Sequence, residues 1–168
     1  MQNFLFSFEG RTRRRDWWLF VLAGVVLNYV VMQLVLPTAL GDRGRMIVNE
    51  DTLVPQYPLP LAIAVAVYAL IVAWPYLAVN ARRAHDRGVS ARFVTVMQLA
   101  SMGLGWALLA MSLEGSGTGL GLALAVSLPS VAVGLYFLVV QGFVDGTPGP
   151  NPFGPSPKGV GDAAREFE

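Results

Sequence analysis

Cysteine is absent from this 168-residue chain, histidine occurs once, and charged residues make up only 14% of it. Without cysteine, the chain can form neither disulfides nor thiolate metal sites, and it has no cysteine nucleophile. A soluble domain has about 25% charged residues, whereas this chain is 54% hydrophobic and has a mean hydropathy of +0.53. The composition therefore favours a membrane protein over a soluble domain with one buried core.

Four stretches of the chain contain no charged residue at all. They cover residues 17–36, 59–79, 93–113 and 120–140, and each has 20 or 21 residues. As helices that rise about 1.5 Å per residue, they are about 30 Å long, which is the thickness of a bilayer's hydrocarbon core. A backbone in lipid must satisfy its own hydrogen bonds, so such segments form helices. The sequence predicts an all-α integral membrane protein, a four-transmembrane-helix bundle.

The basic residues are distributed unevenly among the segments that flank these stretches. Ten of the twelve Lys and Arg residues lie before the first stretch, between the second and third, or in the tail. The segment 37–58 has only Arg43 and Arg45, and the segment 114–119 has neither Lys nor Arg. By the positive-inside rule, both termini are predicted to be cytoplasmic. The first apolar stretch is too long for a typical signal peptide and is interpreted as a retained signal anchor.

Three regions follow from this topology. Residues 1–16 form a cytoplasmic or interfacial N-terminal segment, residues 17–144 form the transmembrane domain, and residues 145–168 form a cytoplasmic tail rich in Gly and Pro. The second helix is predicted to continue past the membrane as far as Arg87, with Gly88 as its C-terminal cap. Composition leaves open whether the tail is disordered or a fixed irregular loop.

Three fragments in the same order suggest a family. They read FEGRTRRRDWW (residues 8–18), NARRAHDRGVS (80–90) and GTPGPNPFGPSP (146–157). Together they resemble the small bacterial inner-membrane proteins grouped as domain-of-unknown-function family 805. The matching positions are Phe8, Gly10, Arg11, Arg14, Trp18, Arg82, Arg83, His85, Asp86, Ser90, Gly146, Gly149, Asn151, Gly154 and Pro157.

The resemblance implies a four-helix integral protein of the bacterial cytoplasmic membrane, with no established activity or cofactor. One departure is local: after Ser90 such proteins commonly have Gly-Trp, whereas this chain has Ala91, Arg92 and Phe93. The change affects the expected turn geometry and adds one positive charge to the cytoplasmic side.

All three fragments fall on the predicted cytoplasmic side, where their polar residues could converge. We expect one polar cluster there, with the tail folded back over it. Its candidate members are Arg11, Arg14, Arg82, Arg83, His85, Asp86 and Asn151. Within the helix, Arg82 and Asp86 are four residues apart and share a face. No catalytic, cofactor-binding or metal-binding residue is assigned.

An enzyme is not expected from this pattern. Neighbouring residues in a helix point about 100° apart, so His85 and Asp86 do not form a hydrogen-bonded dyad by themselves. A single histidine with no other soft ligand is also a poor metal site. A membrane-surface enzyme that uses His85 and Asp86 stays an alternative.

A small transporter or channel subunit is the second alternative. The four apolar stretches have no ionisable Asp, Glu, Lys, Arg or His, although transport pathways usually have such groups. Four polar side chains could still line a path in an oligomer: Asn28, Gln33, Gln98 and Ser101.

The favoured hypothesis is a structural or regulatory membrane module with an arginine-rich cytoplasmic face. Guanidinium groups bind phosphate in a bidentate manner, so this face is expected to bind anionic lipid headgroups or a partner protein. A homo-oligomer is also compatible with the sequence, whereas nucleic acid is not expected because the basic face adjoins the membrane. No cofactor is expected. The alternative that the arginines serve topology alone stays open.

Overall fold

Four helices long and apolar enough to cross a membrane dominate the computed structural model, which describes residues 5–48, 50, 54–113 and 119–159. The first is a continuous helical run, Arg14–Gly44, and the others are α3 (Leu59–Asp86), α4 (Ala91–Met111) and α5 (Leu120–Gly142). The predicted helical membrane architecture is confirmed. It also contains a feature that the sequence did not predict, a pair of two-residue antiparallel strands, β1 (Ile47–Val48) and β2 (Pro55–Gln56).

The first helical run changes its hydrogen-bond register along its length. It consists of α1 (Arg14–Val30), a π-helical segment (Val31–Val35), α2 (Leu36–Leu40) and a 3₁₀ turn (Gly41–Gly44). Pro37 lies in the first turn of α2 and has no N–H, so the carbonyl of Gln33 lacks its regular α-helical donor. The N–H of Leu36 instead bonds the carbonyl of Val31, the five-residue spacing of a π-helix.

The chain folds as two compact units. The first contains residues 5–22, 72–99 and 134–159 of the described chain, and its core is built on small residues of α3. Ala78, Ala81 and Ala84 are completely buried there, and Trp17 is 3% exposed. Small side chains allow segments to approach closely, which is how helices associate in the absence of a hydrophobic driving force.

The second unit contains residues 23–71 and 100–133, apart from those outside the described ranges. The N–H of Tyr57 donates to the carbonyl of Ser112 at 2.6 Å, which links the strand segment to the end of α4. Val54, Leu61 and Ala62 are buried beside this link.

Helix α3 ends at Asp86, and Gly88 has φ +72°, which confirms the predicted glycine cap. The N–H of Gly88 donates to the carbonyl of His85 at 2.9 Å, and the N–H of Val89 donates to that of Ala84 at 3.1 Å. This pair of bonds is the Schellman motif, which satisfies the last carbonyls of the helix. This capped end fixes where α3 stops and therefore the position of its last two residues, His85 and Asp86.

Candidate functional site

Asp86, the last residue of α3, lies between two arginines. Its Oδ1 accepts a hydrogen bond from Nε of Arg11 at 3.1 Å, and its Oδ2 accepts one from Nη1 of Arg83 at 2.5 Å. The side chains of Arg11, Arg83 and Asp86 are 2%, 0% and 4% exposed. Buried charges need both an opposite charge and further hydrogen bonds to be tolerated. The carboxylate of Asp86 supplies the opposite charge.

Backbone carbonyls satisfy the other donors of Arg11. Its Nη1 donates to the carbonyl of Gly149 at 2.7 Å, and its Nη2 donates to that of Thr147 at 2.7 Å. Both carbonyls belong to the Gly- and Pro-rich tail. The N-terminal segment therefore holds the tail through one guanidinium.

Arg83 likewise donates to backbone carbonyls, in this case at the end of α5. Its Nε donates to the carbonyl of Gln141 at 2.8 Å, and its Nη2 donates to that of Val144 at 2.5 Å. Carbonyls at the end of a helix lack intrahelical partners and carry partial negative charge, so a guanidinium is a favourable partner. Arg83 thus joins the end of α3 to the end of α5.

The tail also binds the end of α3 directly. The N–H of Thr147 donates to the carbonyl of Asp86 at 2.8 Å, and Nδ2 of Asn151 donates to the carbonyl of His85 at 2.8 Å. The amide oxygen of Asn151 in turn accepts a bond from the N–H of Phe153 at 2.9 Å, as in an Asx turn. The described part of the tail, up to residue 159, is a fixed irregular loop.

Gly146 leaves no space for a side chain at this contact. A Cβ there would overlap Oδ2 of Asp86 and lie 2.6 Å from its Cγ. Any larger residue must displace the carboxylate from its two arginines.

His85 packs against the tail instead of joining Asp86. Its ring stacks on Phe153 with centroids 4.1 Å apart and an interplanar angle of 5°, and Nδ1 lies 3.3 Å from the carbonyl oxygen of Gly10. Among the residues that the structure describes, no group of three His, Asp or Glu side chains is placed to hold a metal ion.

The two other candidates, Arg14 and Arg82, have different surroundings. Nη1 of Arg14 lies 3.2 Å from Oδ1 of Asp145, but these side chains are 48% and 66% exposed. Arg82 is 7% exposed, and its carbonyl accepts a bond from the N–H of Thr12 at 3.2 Å. Arg14 therefore belongs to the exposed rim, whereas Arg82 helps to attach the N-terminal segment to α3.

Arg87 follows the helix directly and is half-buried. Burial lowers the pKa of Arg87 from its usual value, while a hydrogen bond with Tyr136 acts in the opposite direction. Tyr136 thereby supports a cation at the end of α3, where the helix dipole also favours one.

A second polar network in the first unit was not predicted as part of the site. Nε1 of Trp17 donates to Oδ1 of Asn80 at 2.8 Å, and Nδ2 of Asn80 donates to Oε1 of Gln98 at 3.0 Å. Nε2 of Gln141 bonds the carbonyl of Asn80 at 3.2 Å. The signal available in the sequence was a set of three amides, Asn80 and Gln141 directly after apolar stretches and Gln98 within one, because buried amides require partners.

Fold and site together define a class of protein: a multi-pass helical membrane protein in which a buried arginine–aspartate network fixes the C-terminal tail. The sequence model of the family described as "Protein of unknown function (DUF805)" matches residues 5–155, and this chain belongs to that family. The family predicted from the three fragments is therefore confirmed. No solved structure matches the chain.

Two relatives from Escherichia coli K12 are similar along much of the chain. "Inner membrane protein YhaH" is 28% identical over 158 residues, which cover 94% of this chain and 92% of that relative. "Uncharacterized protein YiiR" is 30% identical over 115 residues, which cover 65% of this chain and 62% of that relative. With the four apolar helices, this similarity places the chain in the bacterial inner membrane as a multi-pass protein. Neither the family description nor these names indicate an enzymatic activity.

Proposed function

We propose that this protein is a structural or regulatory module of the inner membrane, and that its exposed N-terminal arginines bind anionic lipid headgroups. The observation that carries the proposal is a difference in burial between neighbouring arginines of the N-terminal segment. Arg11 is buried and bonded to Asp86 and the tail, whereas Arg13 and Arg15 are exposed. The buried network holds the segment in place, and the exposed guanidinium groups face outwards from it.

Lipid contact is assigned to Arg13 and Arg15 and not to Arg83. The side chain of Arg83 has no exposed surface, and its Nε, Nη1 and Nη2 all donate to groups of the protein. The side chain of Arg15 is 86% exposed, and its nearest carboxylate, that of Asp16, lies 3.9 Å away. The N–H donors of such an exposed guanidinium are available to phosphate oxygens.

Helix stability does not explain why these arginines are present. Helix α1 begins at Arg14, and positive charges at a helix N-terminus oppose the macrodipole. The cost is offset if the charges meet anionic headgroups, which attract each nearby Lys or Arg by about 1 kcal/mol. Attraction to headgroups therefore gives the basic residues at this position a role in addition to setting the topology.

Aromatic residues beside these arginines support placement at the headgroup boundary. Nε1 of Trp18 donates to the carbonyl of Gly142 at 2.9 Å, and its ring meets Phe143 edge-on with centroids 5.6 Å apart. Phe143 is 61% exposed. Amphipathic and aromatic rings of this kind lie at membrane–water interfaces, so they would set the depth at which the arginines meet phosphate.

The test is titration of the purified full-length protein with phosphatidylglycerol, followed by native mass spectrometry. The double variant R13Q/R15Q should bind phosphatidylglycerol roughly tenfold or more weakly, because two favourable charges are lost. The matched variant R13K/R15K keeps both charges and should retain most of the affinity. The R43Q variant removes an exposed charge from a different segment and should bind as the wild type does.

Two outcomes would contradict the proposal. One is equal phosphatidylglycerol affinity in R13Q/R15Q and the wild type. The other is an equal loss of affinity for zwitterionic phosphatidylethanolamine, which would mean that the substitutions disturb the fold or a non-electrostatic contact. A copurifying protein lost only from R13Q/R15Q, with lipid affinity unchanged, would favour a protein partner instead.

A further inference from the structure

A cavity of about 560 Å³ lies in the second unit, beside the π-helical segment of the first helical run. Its size is within the range of about 300–1,000 Å³ typical of small-molecule sites. Polar and apolar groups both line it. Those that matter for its chemistry are Asn28, Met32, Gln33, Arg45, Tyr57 and Leu61.

The two amides of this lining lie within a membrane-spanning helical run. Asn28 and Gln33 are both exposed, and neither side chain forms a hydrogen bond with the residues that the structure describes. A polar group placed in hydrocarbon without a partner is costly. The amides therefore need hydrogen-bonding groups that this part of the chain does not supply.

The backbone is shaped to form the cavity. Gln33 and Met32 belong to the π-helical segment, and single π turns within helices are frequent at functional sites. Beyond the end of α2, Gly44 packs directly on α2: a Cβ there would overlap the carbonyl oxygen of Leu36 and lie 2.9 Å from Cα of Pro37. This close approach brings the next residue, Arg45, back to the cavity wall.

The charge of the cavity indicates the sign of its ligand. Arg45 is exposed, and no carboxylate among the described residues forms an ion pair with it. Met32 and Leu61 contribute apolar surface next to this cation. An occupant that matches all of these groups is anionic at one end, accepts and donates hydrogen bonds, and continues into an apolar chain.

We infer that the cavity binds the headgroup end of an anionic amphiphile of the phospholipid type. Arg45 contacts the anionic group, Asn28 and Gln33 bond the hydroxyl or ester oxygens, and Met32 and Leu61 contact the start of the acyl chain. This site uses none of the residues of the N-terminal arginine surface, so it goes beyond the proposed function and can be tested separately.

Photo-crosslinking locates such a site directly. The full-length protein is placed in nanodiscs that contain phosphatidylglycerol with a diazirine near the start of one acyl chain, and labelled peptides are identified after illumination. Labelling should concentrate on peptides that contain Met32, Met46 or Leu61. In R45Q this labelling should fall about tenfold, because a charge-assisted hydrogen bond is lost.

The chain offers a matched control for this experiment. Arg43 is also exposed and lies two residues from Arg45, but it does not line the cavity. Labelling of the cavity peptides should therefore be unchanged in R43Q, and also in R13Q/R15Q, which affects only the N-terminal surface. Asn28→Leu should lower the labelling without removing any charge.

Three outcomes would overturn the inference. Labelling spread evenly over all four helices, and insensitive to R45Q, would mean contact with bulk lipid only. Equal losses in R45Q and R43Q would show a general effect of charge. Equal labelling of the cavity peptides by a zwitterionic phosphatidylcholine probe with the same diazirine would show that the cavity does not select an anionic amphiphile.

Discussion

Nε of Arg11 lies 3.1 Å from Oδ1 of Asp86, although 75 residues separate the two in the chain. Both side chains are almost fully buried, at 2% and 4% exposure. An ion pair at this depth persists only because Arg83 shares the carboxylate and backbone carbonyls take up the other donors. The pair therefore ties the N-terminal segment, the end of α3 and the tail to one carboxylate.

Replacement of Asp86 by Asn should destabilise the first unit strongly. The substitution leaves Arg11 and Arg83 buried without a carboxylate, and removal of one partner of a buried ion pair costs about 3–5 kcal/mol. We expect a lower Tm in detergent and faster proteolysis of the tail. The control is D145N: Asp145 pairs with Arg14 on the surface, and exposed pairs contribute about 1 kcal/mol or less. Equal Tm values for the two variants would contradict a structural role for the buried pair.

Two Gly→Ala substitutions should change stability in opposite directions. In Gly146→Ala the new Cβ overlaps the carboxylate of Asp86, and such overpacking costs about 1–3 kcal/mol. Gly134 lies inside α5 with open space around it, so Gly134→Ala should be neutral or gain up to about 1 kcal/mol from helix propensity. Thermal unfolding in the same detergent compares them. A similar shift in both variants would mean that Gly146 does not pack as described.

Substitutions at His85 distinguish packing from chemistry. The ring stacks on Phe153, so His85→Ala should loosen the tail by about 0.5–1.5 kcal/mol, whereas His85→Phe keeps an aromatic ring in place. Hydrogen exchange of the amides at Thr147 and Gly154 should quicken in the first variant and change little in the second. Equal protection of these amides in His85→Ala, His85→Phe and the wild type would contradict the packing role, and the enzyme alternative would gain support.

The helical architecture could be predicted from the sequence because it depends on a local property. A charge-free run of 20 or 21 residues matches the bilayer wherever it stands in the chain, and the glycine cap at Gly88 was likewise visible locally. The π-helical segment was not predicted, although Pro37 provides its physical cause. Nor were the two short strands, because two residues are too few for a periodic pattern.

The bonds within the candidate site were harder to predict from the sequence than the residues that form it. Spacing within the helix favoured a shared face for Arg82 and Asp86, whereas the ion pair seen within α3 joins Arg83 to Asp86. Both spacings bring side chains together in a helix. The choice depends on the end of α5, because the carbonyls of Gln141 and Val144 lie where Arg83 can reach them as well as Asp86.

The sequence by itself determined that this chain crosses the bilayer as helices, because hydrogen-bond satisfaction in lipid leaves long apolar runs no other structure. It also supplied the fragments that identified the family. Only the tertiary structure decided which arginines are internal and which face outwards. A guanidinium has five N–H donors, and only the folded chain brings enough carbonyl and carboxylate oxygens around Arg11 and Arg83 to bury them, while Arg13 and Arg15 remain exposed.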